Sequence, residues 1–327
     1  MTGLPFDVNN IFSVSASQFD ATCMSVFGYQ YQYNPVYRKW CDMIGRTPVT
    51  VQTPGQIPPL PVSFFKQETI LTRVTATHYF ESSGTTQTKN SRHWVADLDL
   101  YRQSFNKAFE LFYGPVTDWC ILALLPAYLE RQHSSLVMMA DEMIRDSRHP
   151  QSGFYLYDHA RLNDTLKQLE QDGQKTLLLG VTFALLDFAE AFPQALKHTI
   201  LMETGGMKGR RKEMTRVEVH SILTRKLGVE RVHSEYGMTE LLSQAYSKGN
   251  GIFECPPWMK VMVRDEEDPL SPGSPGRGVI QVIDLANVHS CAFIATEDLG
   301  QVYPDGRFEV WGRIDNSDIR GCSLMVV

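Results

Sequence analysis

A chain of 327 residues, 43% hydrophobic and 21% charged, has the composition of a globular protein, and its length suits one large α/β domain or two subdomains. A formal net charge of -6 argues against a nucleic-acid surface as the main partner. No apolar run approaches the ~20 residues that a membrane-spanning helix needs, and the stretch from Met1 to Asp7 lacks a basic region followed by an apolar core, so a cytoplasmic protein with no integral membrane segment is expected.

A helical pattern begins at Ser17 and runs through Phe19, Cys23, Met24 and Phe27. A second begins at Asn34-Pro35, where a cap residue precedes proline at the first helical position; Tyr37, Trp40, Cys41 and Ile44 form its apolar face and Gly45 ends it. Pro48 to Pro61 holds five prolines and reads as an extended connector. A strand is predicted over Thr72 to Tyr79, where Val74 and Ala76 alternate with Arg73, Thr75 and Thr77. It leads into Ser82, Ser83, Thr85 and Thr86 around Gly84, a composition that presents backbone N–H groups and hydroxyl donors to a polyanion. Taken alone, the same turn suits a surface connection between strands. It is no Walker loop, because Lys89-Asn90-Ser91 stands where Gly-Lys-Ser/Thr would be required.

Tyr101, Phe105, Ala108, Phe109 and Phe112 recur at helical spacing before Gly114-Pro115, as do Leu136, Met139, Ala140, Met143 and Ile144 after Ser135. Between them Ile121 to Pro126 is a buried-strand candidate. Leu166 and Leu169 mark a helix closed by Gly173, Thr176 to Gly180 the next strand, and His198 to Met202 another. The last runs into Thr204-Gly205-Gly206 and the basic stretch Lys208 to Lys212, read as a solvated loop. Thr215 and Glu218 form a capping box for a helix carrying Ile222, Leu223 and Leu227 and stopped by Gly228. After Tyr236-Gly237-Met238-Thr239-Glu240 the chain becomes strand-rich from about 259, with strands at Lys260 to Val263, Val279 to Ile283, Ala292 to Ala295 and Phe308 to Trp311. Helices alternating with short apolar strands favour an α/β sheet. The six cysteines lack the short pair spacing of a zinc site and read as free, mostly buried thiols.

Four signals stand in order: Ser82-Ser83-Gly84-Thr85-Thr86, Thr204-Gly205-Gly206, Tyr236-Gly237-Met238-Thr239-Glu240, and Asp298-Leu299-Gly300 followed by Asp305-Gly306 and Gly312-Arg313. Together they resemble the adenylate-forming enzymes, which activate carboxylates with ATP. Within that superfamily the chain is most similar to the acyl-protein synthetase (LuxE) family, given Ile57-Pro58-Pro59-Leu60-Pro61 with Phe65-Lys66 and, at the end, Arg320-Gly321-Cys322-Ser323-Leu324. The resemblance implies an adenylate-forming core over residues 1–312 with a β-rich subdomain, and a hinge-like, cysteine-bearing tail over 313–327, lacking the full C-terminal domain of larger members. It also implies ATP and Mg²⁺ as cofactors, a carboxylic acid substrate of fatty type, and an acyl reductase or acyl carrier as partner.

The resemblance assigns the phosphates to Ser82, Ser83, Gly84, Thr85, Thr86 and Lys89. The adenine falls to Gly205, Gly206 and Tyr236, where missing side chains let a flat base approach and a ring can stack on it. Thr239 meets the α-phosphate and Glu240, a hard oxygen ligand, the Mg²⁺. Asp298 accepts from the ribose hydroxyls beside Arg313, and Cys322 is the acyl acceptor. Each has a plainer alternative: a solvated helix-start carboxylate for Glu240, core packing for Tyr236, a turn aspartate for Asp298, an incidental thiol for Cys322. His133 faces the acyl pocket or is a structural histidine. Gln87 departs from the family pattern, which has a second glycine there, and Lys208, Arg210 or Arg211 are candidates to replace the lysine of the C-terminal domain. Two other functions fit the same motifs: an acyl-CoA or carrier-protein ligase, and a non-catalytic nucleotide- or acyl-binding subunit.

Overall fold

The computed structural model describes residues 8–82, 90–125, 133–205, 214–268 and 271–314. Strands β4 (Cys120–Leu124), β6 (Thr176–Val181), β7 (Thr199–Thr204) and β8 (Val232–Tyr236) lie side by side and parallel, with β5 (Gly153–Phe154) beyond β4. Side chains alternate across a strand. Ile121, Ala123, Leu177, Leu179 and Met202 therefore enter one core, and Cys120, Leu122, Leu124, Leu178 and Leu201 the other. Helices α1 (Ala16–Tyr33), α2 (Pro35–Met43), α3 (Leu98–Tyr113) and α4 (Ser135–Ser147) contribute to the first core; α5 (His159–Asp172), α6 (Thr182–Ala191) and α7 (Arg216–Leu227) contribute to the second. Burial on both faces is why these strands read as continuous apolar runs.

Local capping chemistry behaves as the sequence predicts. Asn34 Oδ1 accepts from the N–H groups of Val36 and Tyr37 at 3.1 and 3.0 Å, and its Nδ2 donates to the Ser290 carbonyl at 3.0 Å, so one cap both starts α2 and docks it. Thr215 and Glu218 form the expected capping box on α7, and Gly228, at φ +61°, closes that helix in the left-handed region.

Beyond β8 the sheet becomes antiparallel. β9 (Ala245–Ser247) and β10 (Phe253–Glu254) are followed in space by β14 (Phe308–Arg313), β13 (Phe293–Val302), β12 (Gly276–Asp284) and β11 (Met259–Arg264). The strand-rich last third thus joins the parallel strands in one sheet, with the short β1 (Leu60–Pro61) parallel to β13. Among the described residues no helix is long and apolar enough to cross a membrane. The five cysteines described are free, with Cys23, Cys41, Cys120 and Cys291 buried.

Two elements differ from expectation. The strand predicted over Thr72 to Tyr79 is confined to β2 (His78–Glu81), which pairs antiparallel with β3 (Arg92–Val95). The residues before it are tied to a loop instead: Thr72 N donates to the His289 carbonyl at 2.9 Å and Ser290 Oγ to the Ile70 carbonyl at 2.7 Å. Helix α6 has no sequence signal of its own, because it lacks a side-chain cap and buries Ala184, Leu185, Leu186, Phe188 and Ala189 around much of its circumference.

Candidate functional site

Described residues from all four motifs are linked at the carboxyl ends of β7 and β8, the edge where parallel α/β sheets bind ligands. Ser82, the first residue after β2, donates its N–H to the Ser91 carbonyl at 3.1 Å while its Oγ accepts from the Ser91 N–H at 3.0 Å. Ser91 Oγ then donates to Glu240 Oε1, which joins the first motif to the third. Thr204 Oγ1 donates to Oε2 of Glu235, the residue immediately before the third motif, tying the second motif to its start. Tyr236 OH donates to Asp298 Oδ2 at 2.8 Å and Arg313 Nε donates to Asp298 Oδ1 at 3.2 Å, joining the third to the fourth.

Glu240 is only 6% exposed. Burial pushes its carboxyl above the ordinary range, opposed by the Ser91 hydrogen bond and by the positive charges of Arg313 and Lys66. Its backbone is braced: Asn287 Nδ2 donates to the Glu240 carbonyl at 2.8 Å, Asn287 Oδ1 lies 2.9 Å from His93 Nε2, and His93 Nδ1 lies 2.9 Å from the Thr239 carbonyl. Burial pushes the His93 imidazole down to about 4. Among the described residues no group of three or more His, Cys, Asp and Glu gathers to hold a metal. A buried carboxylate whose one oxygen is bonded to Ser91 nevertheless fits Mg²⁺, which typically takes one or two carboxylates and completes its shell from phosphate and water.

Tyr236 packs its ring edge-on against Phe253 and Phe308 at 5.9 and 5.6 Å, so it is partly a core residue while its hydroxyl is fixed by Asp298. Each Asp298 oxygen retains a lone pair beyond these two bonds. Gly205 sits at φ +69°, and its carbonyl lies 2.6 Å from Thr182 Oγ1, which is also 2.9 Å from Glu203 Oε2. Glu203 lies 3.2 Å from His220 Nε2 and accepts from Ser234 Oγ at 3.1 Å. Burial alone would push its carboxyl up, but the His220 and Thr182 bonds and the Arg216 charge hold it below the ordinary range.

Glu235 behaves differently: burial pushes its carboxyl from 4.5 up to about 7, against the Thr204 bond. Between those values the folded chain holds more protons than the unfolded one, so stability falls as pH rises through this window. Glu235→Gln is therefore expected to raise the melting temperature by about 2–4 °C at pH 8 and to leave it unchanged at pH 5, as read by calorimetry. An equal shift at both pH values would show that the carboxyl titrates normally.

Of the residues expected from sequence, Ser82, Gly205, Tyr236, Thr239, Glu240, Asp298 and Arg313 come together here. Ser83, Gly84, Thr85, Thr86, Lys89, Gly206, Cys322 and the Lys208, Arg210 and Arg211 candidates lie outside the described residues. His133 is exposed and stacks on Tyr79 at 4.1 Å. Sequence reasoning missed Ser91, His93, Asn287 and Glu235; only Glu235, a carboxylate immediately before the third motif, carried a visible signal.

No family model and no curated protein matches the sequence. Solved structures do match in fold. ATP-bound MatB from Rhodopseudomonas palustris aligns at 16% identity and a TM-score of 0.53, covering 73% of this chain and 48% of that one. MenE, the O-succinylbenzoate coenzyme A synthetase from Bacillus subtilis solved with AMP, aligns at 17% identity and 0.50, covering 76% and 51%. A 2-hydroxyisobutyryl-CoA ligase in its postadenylation state aligns at 14% identity and 0.59, covering 96% and 72%. The chain has the fold of the amino-terminal core of adenylate-forming enzymes. It spans about half the length of MatB and MenE.

Proposed function

We propose that this chain is an ATP-dependent acyl-protein synthetase of the LuxE type. The observation that carries the reading is the set of hydrogen bonds Ser91–Glu240, Thr204–Glu235 and Tyr236–Asp298–Arg313, which unites four separate motifs at one sheet edge. A carboxylic acid, fatty by the family resemblance, is first adenylated. Its oxygen attacks the α-phosphorus of ATP, the bond to the β-phosphate oxygen breaks, and pyrophosphate leaves. The thiolate of Cys322 then attacks the acyl carbon, AMP leaves, and the thioester is delivered to a partner such as an acyl reductase or acyl carrier.

In this reading Tyr236 and the Gly205-Gly206 turn hold the adenine and Asp298 with Arg313 the ribose. Ser82, Ser83, Gly84, Thr85, Thr86 and Lys89 cradle the phosphates. Thr239 orients the α-phosphate, and Glu240 is the carboxylate that would hold Mg²⁺. Bound there, the ion offsets phosphate charge as the substrates approach. What the protein itself supplies is position and fixed dipoles, since two anionic reactants must be brought together.

Incubation with ATP, Mg²⁺ and a panel of carboxylic acids should give pyrophosphate exchange and an acyl adduct on the intact protein that hydroxylamine removes. Failure of every acid in the panel to support exchange would sink the enzyme reading. The CoA ligases among the matched folds favour one alternative, in which the acyl group passes to coenzyme A; thioester appearing there with no protein adduct would establish it. Gly84→Val should obstruct the approach of the phosphates and lower kcat/KM for ATP by up to ~100-fold. An unchanged KM for ATP would leave the loop as a turn only.

A further inference from the structure

The turn that carries Thr239 and Glu240 has little regular structure of its own. β8 and β9 pair as far as Tyr236 and Ala245, and between them Leu241 N donates to the Met238 carbonyl at 3.1 Å. Glu240, Leu241, Leu242, Ser243 and Gln244 are nevertheless buried, so their peptide groups need partners from elsewhere in the fold.

Those partners come from one short stretch, Asp284-Leu285-Ala286-Asn287. Asp284 ends β12 and caps the 3₁₀ turn Leu285–Asn287, accepting from the Ala286 N–H at 3.2 Å. A turn of three residues brings the side chains of Asp284 and Asn287 to the same loop. Asp284 Oδ2 accepts from the N–H groups of Leu242 and Ser243 at 2.7 and 3.0 Å, and its Oδ1 accepts from the Ser243 hydroxyl at 2.6 Å. Asn287 Nδ2 donates to the Glu240 carbonyl, which can only accept, and this sets the direction of the amide. The two side chains therefore grip the backbone at residues 240, 242 and 243.

The clamp is itself fixed. Asp284 and Asn287 are fully buried, and Gln30 on α1 donates its Nε2 to the Asn287 and Val288 carbonyls, both at 2.9 Å. Gln30 Oε1 accepts from the Ala292 N–H at 3.0 Å, so the stretch is stitched to α1 on both sides of the 3₁₀ turn's end. A buried carboxylate costs more than an apolar side chain of its size, and what it supplies here is a fixed place for a turn.

We propose that Asp284 and Asn287 are positioning residues for carboxylate activation: they hold the turn so that Thr239 and Glu240 stay where the α-phosphate and Mg²⁺ need them, and touch neither nucleotide nor acid themselves. The inference rests on the activation reading and adds two residues on which its geometry depends. Displacing a reacting group by about 1 Å costs on the order of a hundredfold in rate.

The test measures pyrophosphate exchange in Asn287→Ala, Asp284→Ala and Asp284→Asn, with Leu166→Ala as a control that weakens the second core away from the site. Asn287→Ala and Asp284→Ala should lower kcat by about tenfold to a hundredfold, with KM for the acid within about twofold of the wild type. Asp284→Asn keeps an oxygen for the Leu242 and Ser243 N–H groups, so it should recover most of the kcat that Asp284→Ala loses. Leu166→Ala should melt at a lower temperature and keep its kcat. A second readout needs no turnover: in calorimetric titration Mg²⁺ should raise the affinity for ATP in the wild type, and Asn287→Ala should lose most of that gain. An unchanged kcat in Asn287→Ala, a loss matched by Leu166→Ala, or a Mg²⁺ gain that Asn287→Ala retains overturns the positioning role while leaving carboxylate activation intact. If Asp284→Ala does not fold, Asn287→Ala decides. If no acid supports exchange in the wild type, the activation reading fails, and the titration alone judges the clamp; a Mg²⁺ gain absent from the wild type then overturns it too.

Discussion

Replacing Glu240 by glutamine is expected to lower pyrophosphate exchange by about a hundredfold or more, while the melting temperature at neutral pH stays level or rises. The two effects have one cause. Burial pushes the Glu240 carboxyl up, so its charged form costs the folded state free energy, and the neutral amide removes that cost. Glutamine retains an oxygen to accept from Ser91 Oγ, so the link to the hydroxyl-rich turn persists. What it loses is the negative charge a cation would bind. Loss of exchange with retained stability would mark a residue kept for chemistry at the expense of the fold. Normal exchange in the variant would instead remove Glu240 from the site.

Cys322→Ser should separate the two half-reactions. Acyl-adenylate formation depends on Tyr236, Thr239, Glu240, Asp298 and Arg313 in the proposed mechanism, so pyrophosphate exchange should be retained. The hydroxylamine-sensitive acyl-enzyme should disappear from the intact-mass spectrum, because an alcohol at neutral pH is a far weaker nucleophile than a thiolate. Among the described cysteines, burial pushes Cys41 up to about 12 and Cys120 up to about 11, and Cys23, Cys255 and Cys291 higher still, which suits none of them to attack. Full acylation of the variant would move the nucleophile to an external thiol and bring the CoA ligase reading forward.

What could be read from the sequence divides by range. The Asn34-Pro35 start of α2 and the Thr215–Glu218 box of α7 were legible because a cap satisfies backbone groups within three residues of itself. The apolar runs of β4, β6 and β7 were legible because both faces are buried. Helix α6 was not, since a segment buried on most sides has no polar face to mark its period. Thr72 to Thr77 alternates like a strand yet bonds to a loop near His289, a partner no local pattern announces. The site shows the same division. Tyr236, Glu240, Asp298 and Arg313 lie in recognisable motifs, whereas His93 and Asn287 matter through contacts made across nearly two hundred residues, and a lone histidine or asparagine carries no sign of that.

β14 lies between β13 and β10, so the last described strand is an interior one. A chain emerging from the ribosome can assemble β4 to β10, and can pair β11 with β12, before residues 308–313 appear. Until they do, β10 and β13 each present a row of unsatisfied backbone groups, open templates for another chain. The final strand closes both edges at once and in the same act delivers Arg313 to Asp298. Nascent chains stalled before it should therefore be the aggregation-prone species, the ones a chaperone must hold, and a circular permutant with β14 moved to the front should need less such help.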